Sequence, residues 1–344
     1  MRFAFTDDQL LFRDAVQDLL AKQCPPEQVR LAWDNEDGRL PDVWSALAEM
    51  GVLGLTVPEA HGGLGLTELD LVLLLEETGR AALPDPIVET VAVAAPLLAE
   101  VAPDDLAARW LPELAAGTAT VTTGLGGPLV PNADSADLVL AVRDGRLLAV
   151  PAAAATLVRQ PSVDGARRLF EVTWADADAI VLADAGPDGS VDPAVERARQ
   201  RGAVATAAQL IGLGQQMLDL TVDYVKERRQ FGVPIGSFQA VKHHLADAAL
   251  QLEFARPVVH AAAYALATGS PDAARSVSHA KAAAGDAAQA VGRQALQCHG
   301  AIGYTVEYDL HLSLKRVWAL AGAYGDAAHH RRRVADLVLG PLPS

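Results

Sequence analysis

One segment of the chain has the residue types and the spacing that would bind a phosphorylated ligand. Three cations are predicted in the last turn of a long helix, namely Lys226, Arg228 and Arg229. The chain then turns at Phe231-Gly232, and Phe238-Gln239 starts the next helix. An arginine aimed at a diphosphate from such a helix end would make charge-assisted hydrogen bonds worth about 1.5–3 kcal/mol each. The same cations could instead be solvated and only complement the helix dipole.

A second segment, Gln297–Tyr308, has glycines at the predicted end of another helix. Gly300 and Gly303 carry no Cβ, so the backbone there can approach a ligand closely. An ordinary helix end followed by a turn would also account for this pattern. The residues alone therefore leave both segments open to either interpretation.

The histidines and cysteines predict no metal centre. His243-His244 and His329-His330 are adjacent pairs, and neighbouring side chains on a helix point in different directions. Cys24 and Cys298 are too few for a disulfide framework, and Cys298 is expected to be a small buried hydrophobe.

Long helices must position the two ligand-binding segments. The C-terminal part, residues 191–344, is predicted to form an antiparallel four-helix bundle. Its Ala-rich helices are expected over 193–227, 238–268 and 271–298, with a shorter helix near the end. The N-terminal part, residues 1–118, is also predicted to be helical, and Thr6 with Gln9 has the form of a capping box at its first helix.

Residues 119–190, between these parts, are predicted to form a short β domain. Two apolar runs, 138–142 and 146–150, flank Asp144-Gly145 and are typical of a hairpin with a tight turn. Further strands are expected at 169–174 and 179–182. The predicted fold class is therefore mostly α, with a small central β domain between an N-terminal helical domain and a C-terminal helical bundle.

Composition and charge narrow the classes of function. Of 344 residues, 51% are hydrophobic, which is enough to bury a sizeable core. The net charge of −15 argues against binding a nucleic acid, although a local basic site could still receive one nucleotide. We find no signal peptide and no apolar run of membrane-spanning length, so a soluble cytoplasmic protein without a membrane partner is predicted.

The motifs resemble those of the acyl-CoA dehydrogenase family of flavoproteins over nearly the whole chain. Leu47-Ala-Glu-Met-Gly-Val-Leu-Gly-Leu-Thr-Val-Pro-Glu, followed by Gly-Gly-Leu-Gly, is similar to the family's N-terminal signature. Arg228-Arg-Gln-Phe-Gly with the later Phe-Gln, and Gln297-Cys-His-Gly-Ala-Ile-Gly-Tyr, are similar to its two C-terminal signatures. The resemblance implies FAD-dependent dehydrogenation of an acyl-CoA substrate, with an electron-transfer flavoprotein as acceptor.

The resemblance also assigns residues to an FAD site that is shared between subunits. It implies that Arg228 meets the pyrophosphate of FAD bound to a neighbouring subunit, and that Gln239 lies along the same cofactor. Phe231 would pack close to the dinucleotide. The adenosine end would be lined by Gln297, Gly300 and Gly303.

The sequence departs from the family at the catalytic base. The family removes the α-proton of the thioester with a glutamate that stands at one of two positions. Counted from the neighbouring motifs, these positions fall on Tyr324 and Gly202, neither of which is a carboxylate. Asp326 is the nearest candidate to the first position. A positioned base contributes roughly 10²–10⁴ in rate, so its absence would disable the chemistry at this chain's own site.

A second departure lies in the β domain. The family's Thr-Glu-Pro…Gly-Ser-Asp segment, which embraces the flavin ring, is replaced by Thr122-Thr-Gly-Leu-Gly-Gly-Pro, and the domain is several tens of residues short. The glycines could mimic a phosphate loop, but a plain loop is favoured because no helix follows them.

These departures predict a non-catalytic subunit of a heteromeric acyl-CoA dehydrogenase. A partner subunit with an intact β domain would supply the flavin pocket and the glutamate, and the substrate could be a steroid side-chain CoA ester. Two alternatives stay open. One is a homo-oligomeric enzyme with an atypical base such as Asp326, and the other is a flavin-free structural or binding homologue.

Overall fold

The computed structural model describes residues 4–340, and its N-terminal part is helical. The capping box forms as predicted, with the Gln9 backbone N–H donating to Thr6 Oγ1 and the Thr6 N–H donating to the Gln9 side chain. The elements are α1 (Asp7–Gln23), α2 (Pro26–Asp34), α3 (Pro41–Glu49), α4 (Glu68–Arg80), a π-helical segment (Val88–Ala94) that runs into α5 (Ala95–Val101), and α6 (Asp104–Ala116).

The middle part contains two small sheets, one with the order β1-β3-β4-β7 and one with the order β2-β6-β5. Asp144 and Gly145 both have positive φ, as the tight turn of the β3–β4 hairpin requires. The strands are β1 (Val121–Thr123), β2 (Val130–Pro131), β3 (Leu138–Arg143), β4 (Arg146–Pro151), β5 (Thr156–Gln160), β6 (Leu169–Thr173) and β7 (Ile180–Ala183).

The C-terminal part is a helical bundle built around α7, which is 35 residues long. A two-stranded hairpin follows α7, and a short 3-10 segment follows α9. The elements are α7 (Pro193–Glu227), β8 (Arg229–Gln230), β9 (Val233–Pro234), α8 (Gln239–Ala267), α9 (Ala273–His299), α10 (Leu310–Gly322) and α11 (Ala327–Leu339).

Glycines allow α7 to cross α4 with the two backbones in contact. A Cβ on Gly212 would lie 1.8 Å from the carbonyl oxygen of Glu76, and a Cβ on Gly79 would lie 2.2 Å from that of Gln209. No residue larger than glycine fits at either position without moving a helix. This crossing therefore fixes α7 against the N-terminal part.

A buried ion pair joins all three parts of the chain. Arg316 on α10 pairs with Asp164 of the middle part, and its Nη1 donates to the carbonyl oxygen of Leu83 at 2.8 Å. Asp164 also accepts from the Ala166 backbone N–H at 3.1 Å. Both charged residues are buried, so each satisfies a group that water does not reach.

This architecture confirms the predicted fold class, but strands β1, β2, β5, β8 and β9 and helix α2 were not predicted. The strands are too short for a periodic pattern, whereas α2 is amphipathic, with Val29 and Ala32 buried on one face, and was missed. The predicted short helix near the end is two helices, α10 and α11. The prediction that Arg228 and Arg229 lie in the last turn of α7 is wrong, because Arg228 is the residue that caps α7 and Arg229 begins β8.

Within residues 4–340, no helix is both long and apolar enough to cross a membrane. The same part of the chain contains no group of three or more His, Cys, Asp or Glu side chains placed to hold a metal ion.

We expect Arg316→Met to lower the free energy of unfolding by about 3–5 kcal/mol, because it leaves the Asp164 carboxylate buried without its cation. Urea unfolding followed by circular dichroism measures the change. Arg275→Met is the control, since Arg275 pairs with Asp272 at the surface and should change stability by less than about 1 kcal/mol. Equal losses in the two variants would contradict this role of Arg316.

Candidate functional site

The first candidate site lies where α7 ends and α8 begins. Arg228 is exposed and makes no ion pair with any residue between 4 and 340. The N-terminus of α8 has no side-chain cap and no acidic residue in its first turn, which contains Gln239. The backbone carbonyl of Arg228 accepts from the Ile235 N–H at 2.8 Å, in the segment that leads into α8. A cation without an ion pair and an uncapped helix N-terminus each favour a negatively charged group.

The turn between β8 and β9 presents an aromatic ring at this site. Phe231 is 89% exposed and has a φ of +53°, which is strained for a bulky residue, and Gly232 follows with a φ of +82°. The rings of Phe231 and Phe238 meet edge to face with centroids 6.2 Å apart. The hairpin therefore holds an apolar surface next to the free cation, as a site for an aromatic ligand would require.

An aromatic cluster brings the second candidate segment to the end of α7. The ring of His299 on α9 stacks on Tyr224 of α7 with centroids 4.3 Å apart, and it also contacts Tyr308 at 4.8 Å. Arg228 donates its backbone N–H to Tyr224, so both segments are built on the same cluster. The structure thus brings the two sequence motifs together.

The residues predicted to line the adenosine end differ in their surroundings. Gln297 and Gly300 are exposed, and Gly300 has a φ of +63° with open space where a Cβ would stand. Gly303 is buried, and a Cβ there would lie 3.1 Å from His299 and 3.3 Å from Leu296. Packing is thus a sufficient reason for Gly303, and its contact with a cofactor stays a prediction.

The two predicted base positions meet in a cleft between the bundle and the middle part. The ring of Tyr324 lies against Gly202 of α7, and its hydroxyl is 3.3 Å from Thr123 Oγ1 of β1. Burial raises the pKa of Tyr324 far above its usual value, so the phenol keeps its proton. The cleft therefore offers a neutral hydroxyl where a carboxylate base was expected.

Asp326 lies outside this cleft. It is exposed and caps α11, where its side chain accepts from the His329 backbone N–H at 2.7 Å. That hydrogen bond is the main reason that its pKa is lowered. A carboxylate stabilised in this way is a poor acceptor for an additional proton.

A buried lysine holds the loop that carries Tyr324. Lys281 of α9 donates from Nζ to the carbonyl oxygens of Leu320, Ala321 and Gly325 at 3.0–3.2 Å. The carbonyl of Tyr324 lies 2.9 Å from His330 Nε2. Burial lowers the pKa of His330 to about 4, so at neutral pH the ring is uncharged. Neither Lys281 nor His330 was singled out by its position in the sequence for this role.

A large cavity of the described chain lies elsewhere. It has a volume of about 710 Å³ and lies between α1, α4, α7 and α8. Charged groups along its wall are paired with one another: Glu76 with Arg256 and His260, and Arg80 with Asp219. Nothing in it resembles either motif, so its size does not make it the functional site.

We expect the stability of the chain to rise with pH above about 7 because of Lys281. Burial lowers its pKa to about 7 from an ordinary 10.5, so between these values the unfolded chain binds the additional proton. The free energy of unfolding should gain up to about 1.4 kcal/mol per pH unit from this group, and nothing below pH 7. Urea midpoints from pH 6 to 10 test this. Lys281→Met should remove the slope, whereas Lys242→Met, which changes an exposed lysine of α8, should keep it.

Comparisons with known proteins agree with these motifs. The acyl-CoA dehydrogenase N-terminal domain family matches residues 6–118, and the C-terminal domain family matches residues 193–339. Acyl-CoA dehydrogenase IpdE2 of Mycobacterium tuberculosis is 35% identical over 312 residues, which cover 90% of this chain and 91% of that protein.

Two solved structures are similar over nearly all of their length. The Tcur3481-Tcur3483 steroid ACAD G363A variant is 25% identical, with a TM-score of 0.88 over 97% of this chain and 98% of that chain. The ChsE4-ChsE5 complex from Mycobacterium tuberculosis is 23% identical, with a TM-score of 0.88 over 100% of both. The fold, the two motifs and the sequence identity together show that this chain belongs to the acyl-CoA dehydrogenase family of flavin-dependent oxidoreductases.

Proposed function

We propose that this chain is the non-catalytic subunit of a heteromeric acyl-CoA dehydrogenase and completes an FAD site on a partner subunit. The observation that carries the proposal is the contrast between its two sites. One edge of the bundle presents an unpaired cation and an exposed aromatic ring, whereas the cleft has Tyr324 and Gly202 at the two base positions.

The edge of the bundle fits the diphosphate of FAD. Arg228 would bind the pyrophosphate, and the free N–H groups of the first turn of α8, beside Gln239, would add hydrogen-bond donors. Phe231 would cover one side of the cofactor. Gln297 and Gly300 would approach its adenosine end, where no Cβ obstructs the backbone of Gly300. FAD bound there would supply the hydride acceptor of the dehydrogenation.

The cleft of this chain does not support the chemistry. Tyr324 is protonated, Gly202 has no side chain, and Asp326 is committed to capping α11. Deprotonation next to the thioester carbonyl needs a base within hydrogen-bond reach. The glutamate therefore comes from the partner, which also contributes the intact β domain that encloses the flavin ring.

The relatives support a steroid-derived CoA thioester as the substrate. One similar structure is described as a steroid ACAD, and two are named as pairs of different proteins. We infer by analogy that the present chain also pairs with a second acyl-CoA dehydrogenase subunit and serves a bulky substrate. An electron-transfer flavoprotein is the proposed acceptor.

We expect the chain to retain little FAD and to show no acyl-CoA oxidation when it is produced alone. Co-production with an acyl-CoA dehydrogenase subunit that has an intact β domain and the glutamate base should give both, because each subunit would then complete the other's half-site. Bound flavin is measured by absorbance after denaturation, and turnover with an artificial electron acceptor. Stoichiometric FAD and turnover from the chain alone would favour the homo-oligomeric enzyme. No flavin in either preparation would favour a flavin-free homologue.

In the co-produced complex, Arg228→Ala should weaken FAD binding about 10- to 100-fold, because it removes a charge-assisted hydrogen bond to phosphate. Fluorescence titration of the apo complex with FAD measures the change. Arg275→Ala also removes an arginine charge, but at the N-terminal end of α9, away from His299 and the candidate site, so FAD affinity should be unchanged. Equal FAD affinity in the two variants would show that Arg228 does not bind FAD.

A further inference from the structure

Two spaces lie along α7, an outer groove whose wall includes Tyr324 and a small inner cavity whose lining does not. The outer groove has a volume of about 270 Å³ and is lined by Arg199, Gln200, Ala203, Tyr324 and Arg333, among others. The inner cavity, about 20 Å³, is lined by polar groups that include Glu89, Arg167, Thr206 and Gln209. Gly202, which the ring covers, shares one face of α7 with Arg199 of the groove and with Thr206 and Gln209 of the inner cavity.

The Tyr324 ring packs against two glycines, Gly202 and Gly126, and this packing site is called its seat. A Cβ on Gly202 would lie 2.2–2.5 Å from three atoms of the Tyr324 ring, and a Cβ on Gly126 would lie 3.0 Å from it. The hydroxyl reaches Thr123, and the backbone N–H of Tyr324 donates to the Gly126 carbonyl at 2.9 Å. The ring therefore contacts both walls of the cleft.

The loop that carries the ring adopts a conformation that its surroundings must maintain. Tyr324 has a φ of +54°, which is costly for a residue with an aromatic side chain, and Gly325 follows at +96°. Lys281 and His330 hold the carbonyls of these two residues. Four hydrogen bonds, which involve Thr123, Gly126, Lys281 and His330, thus fix the ring and the loop that carries it.

We propose that Tyr324 is a plug that closes the cleft of this chain to acyl thioesters. The chain would then lack substrate binding as well as a base, and a carboxylate restored at either base position would not be sufficient for catalysis. This deepens the proposed function by explaining why one subunit's cleft takes no substrate. Its test uses neither FAD nor the partner, so it can fail while the proposal for Arg228 stands.

The test is binding of octanoyl-CoA to the full chain, measured by isothermal titration calorimetry. Tyr324→Gly should bind it at least about tenfold more tightly than the wild type, because removal of the ring extends the outer groove into the space over Gly202 and Gly126. Glycine is the replacement of choice since it adopts a φ of +54° without strain. Tyr324→Phe keeps the ring and should bind as the wild type does. CoA without an acyl group should bind equally to all three proteins.

Tight binding of octanoyl-CoA by the wild type, or no gain in a folded Tyr324→Gly variant, would overturn the proposal. If that variant does not fold, a double-mutant cycle of melting temperatures tests whether the Tyr324 ring covers Gly202. Gly202→Ala should lower the melting temperature of the wild type, since its methyl group overlaps the ring, and the loss should shrink in the Tyr324→Ala background. An equal loss in both backgrounds would show that the ring does not occupy this seat.

Discussion

The backbone contact of α4 with α7 at Gly79 and Gly212 is the constraint on which both sites depend. Because the two helices touch there without intervening side chains, α7 has one allowed position against the N-terminal part. The same continuous helix then carries Gly202 into the cleft and presents Arg228 beyond its far end. One rigid element thus sets the closed cleft and the open edge at once, and neither can shift without the other.

The cations of this acidic chain have different roles in the interior and at the exposed edge of the bundle. Arg316 and Lys281 lie inside, where they satisfy a carboxylate and several carbonyl groups and so hold the three parts and the Tyr324 loop together. Arg228 stays at the edge and makes no ion pair with any of residues 4–340. The buried cations already interact with groups of the protein and stabilise the fold, whereas Arg228 is available to a ligand.

Local signals made much of this fold predictable. Thr6 with Gln9, Pro41 and Pro193 mark helix starts, and Asp144-Gly145 marks a hairpin, because each acts on its own few residues. Strands of two or three residues, such as β1 and β2, carry no periodic pattern. At the site, the sequence predicts Tyr324 and Gly202 at the two base positions, but their mutual contact depends on tertiary packing. The burial of Lys281 also depends on tertiary packing, so the sequence does not distinguish it from an exposed helical lysine.

The contact between Tyr324 and Gly202 also restricts how the chain can change in evolution. A side chain cannot be gained at residue 202 while the tyrosine ring fills that space, so a carboxylate there must be preceded by the loss of the ring. Loss of the ring alone would leave the positive-φ loop and the buried Lys281 without the packing they now share. A side chain at residue 202 and the aromatic ring at residue 324 therefore exclude each other, so the two positions can change only in a fixed order.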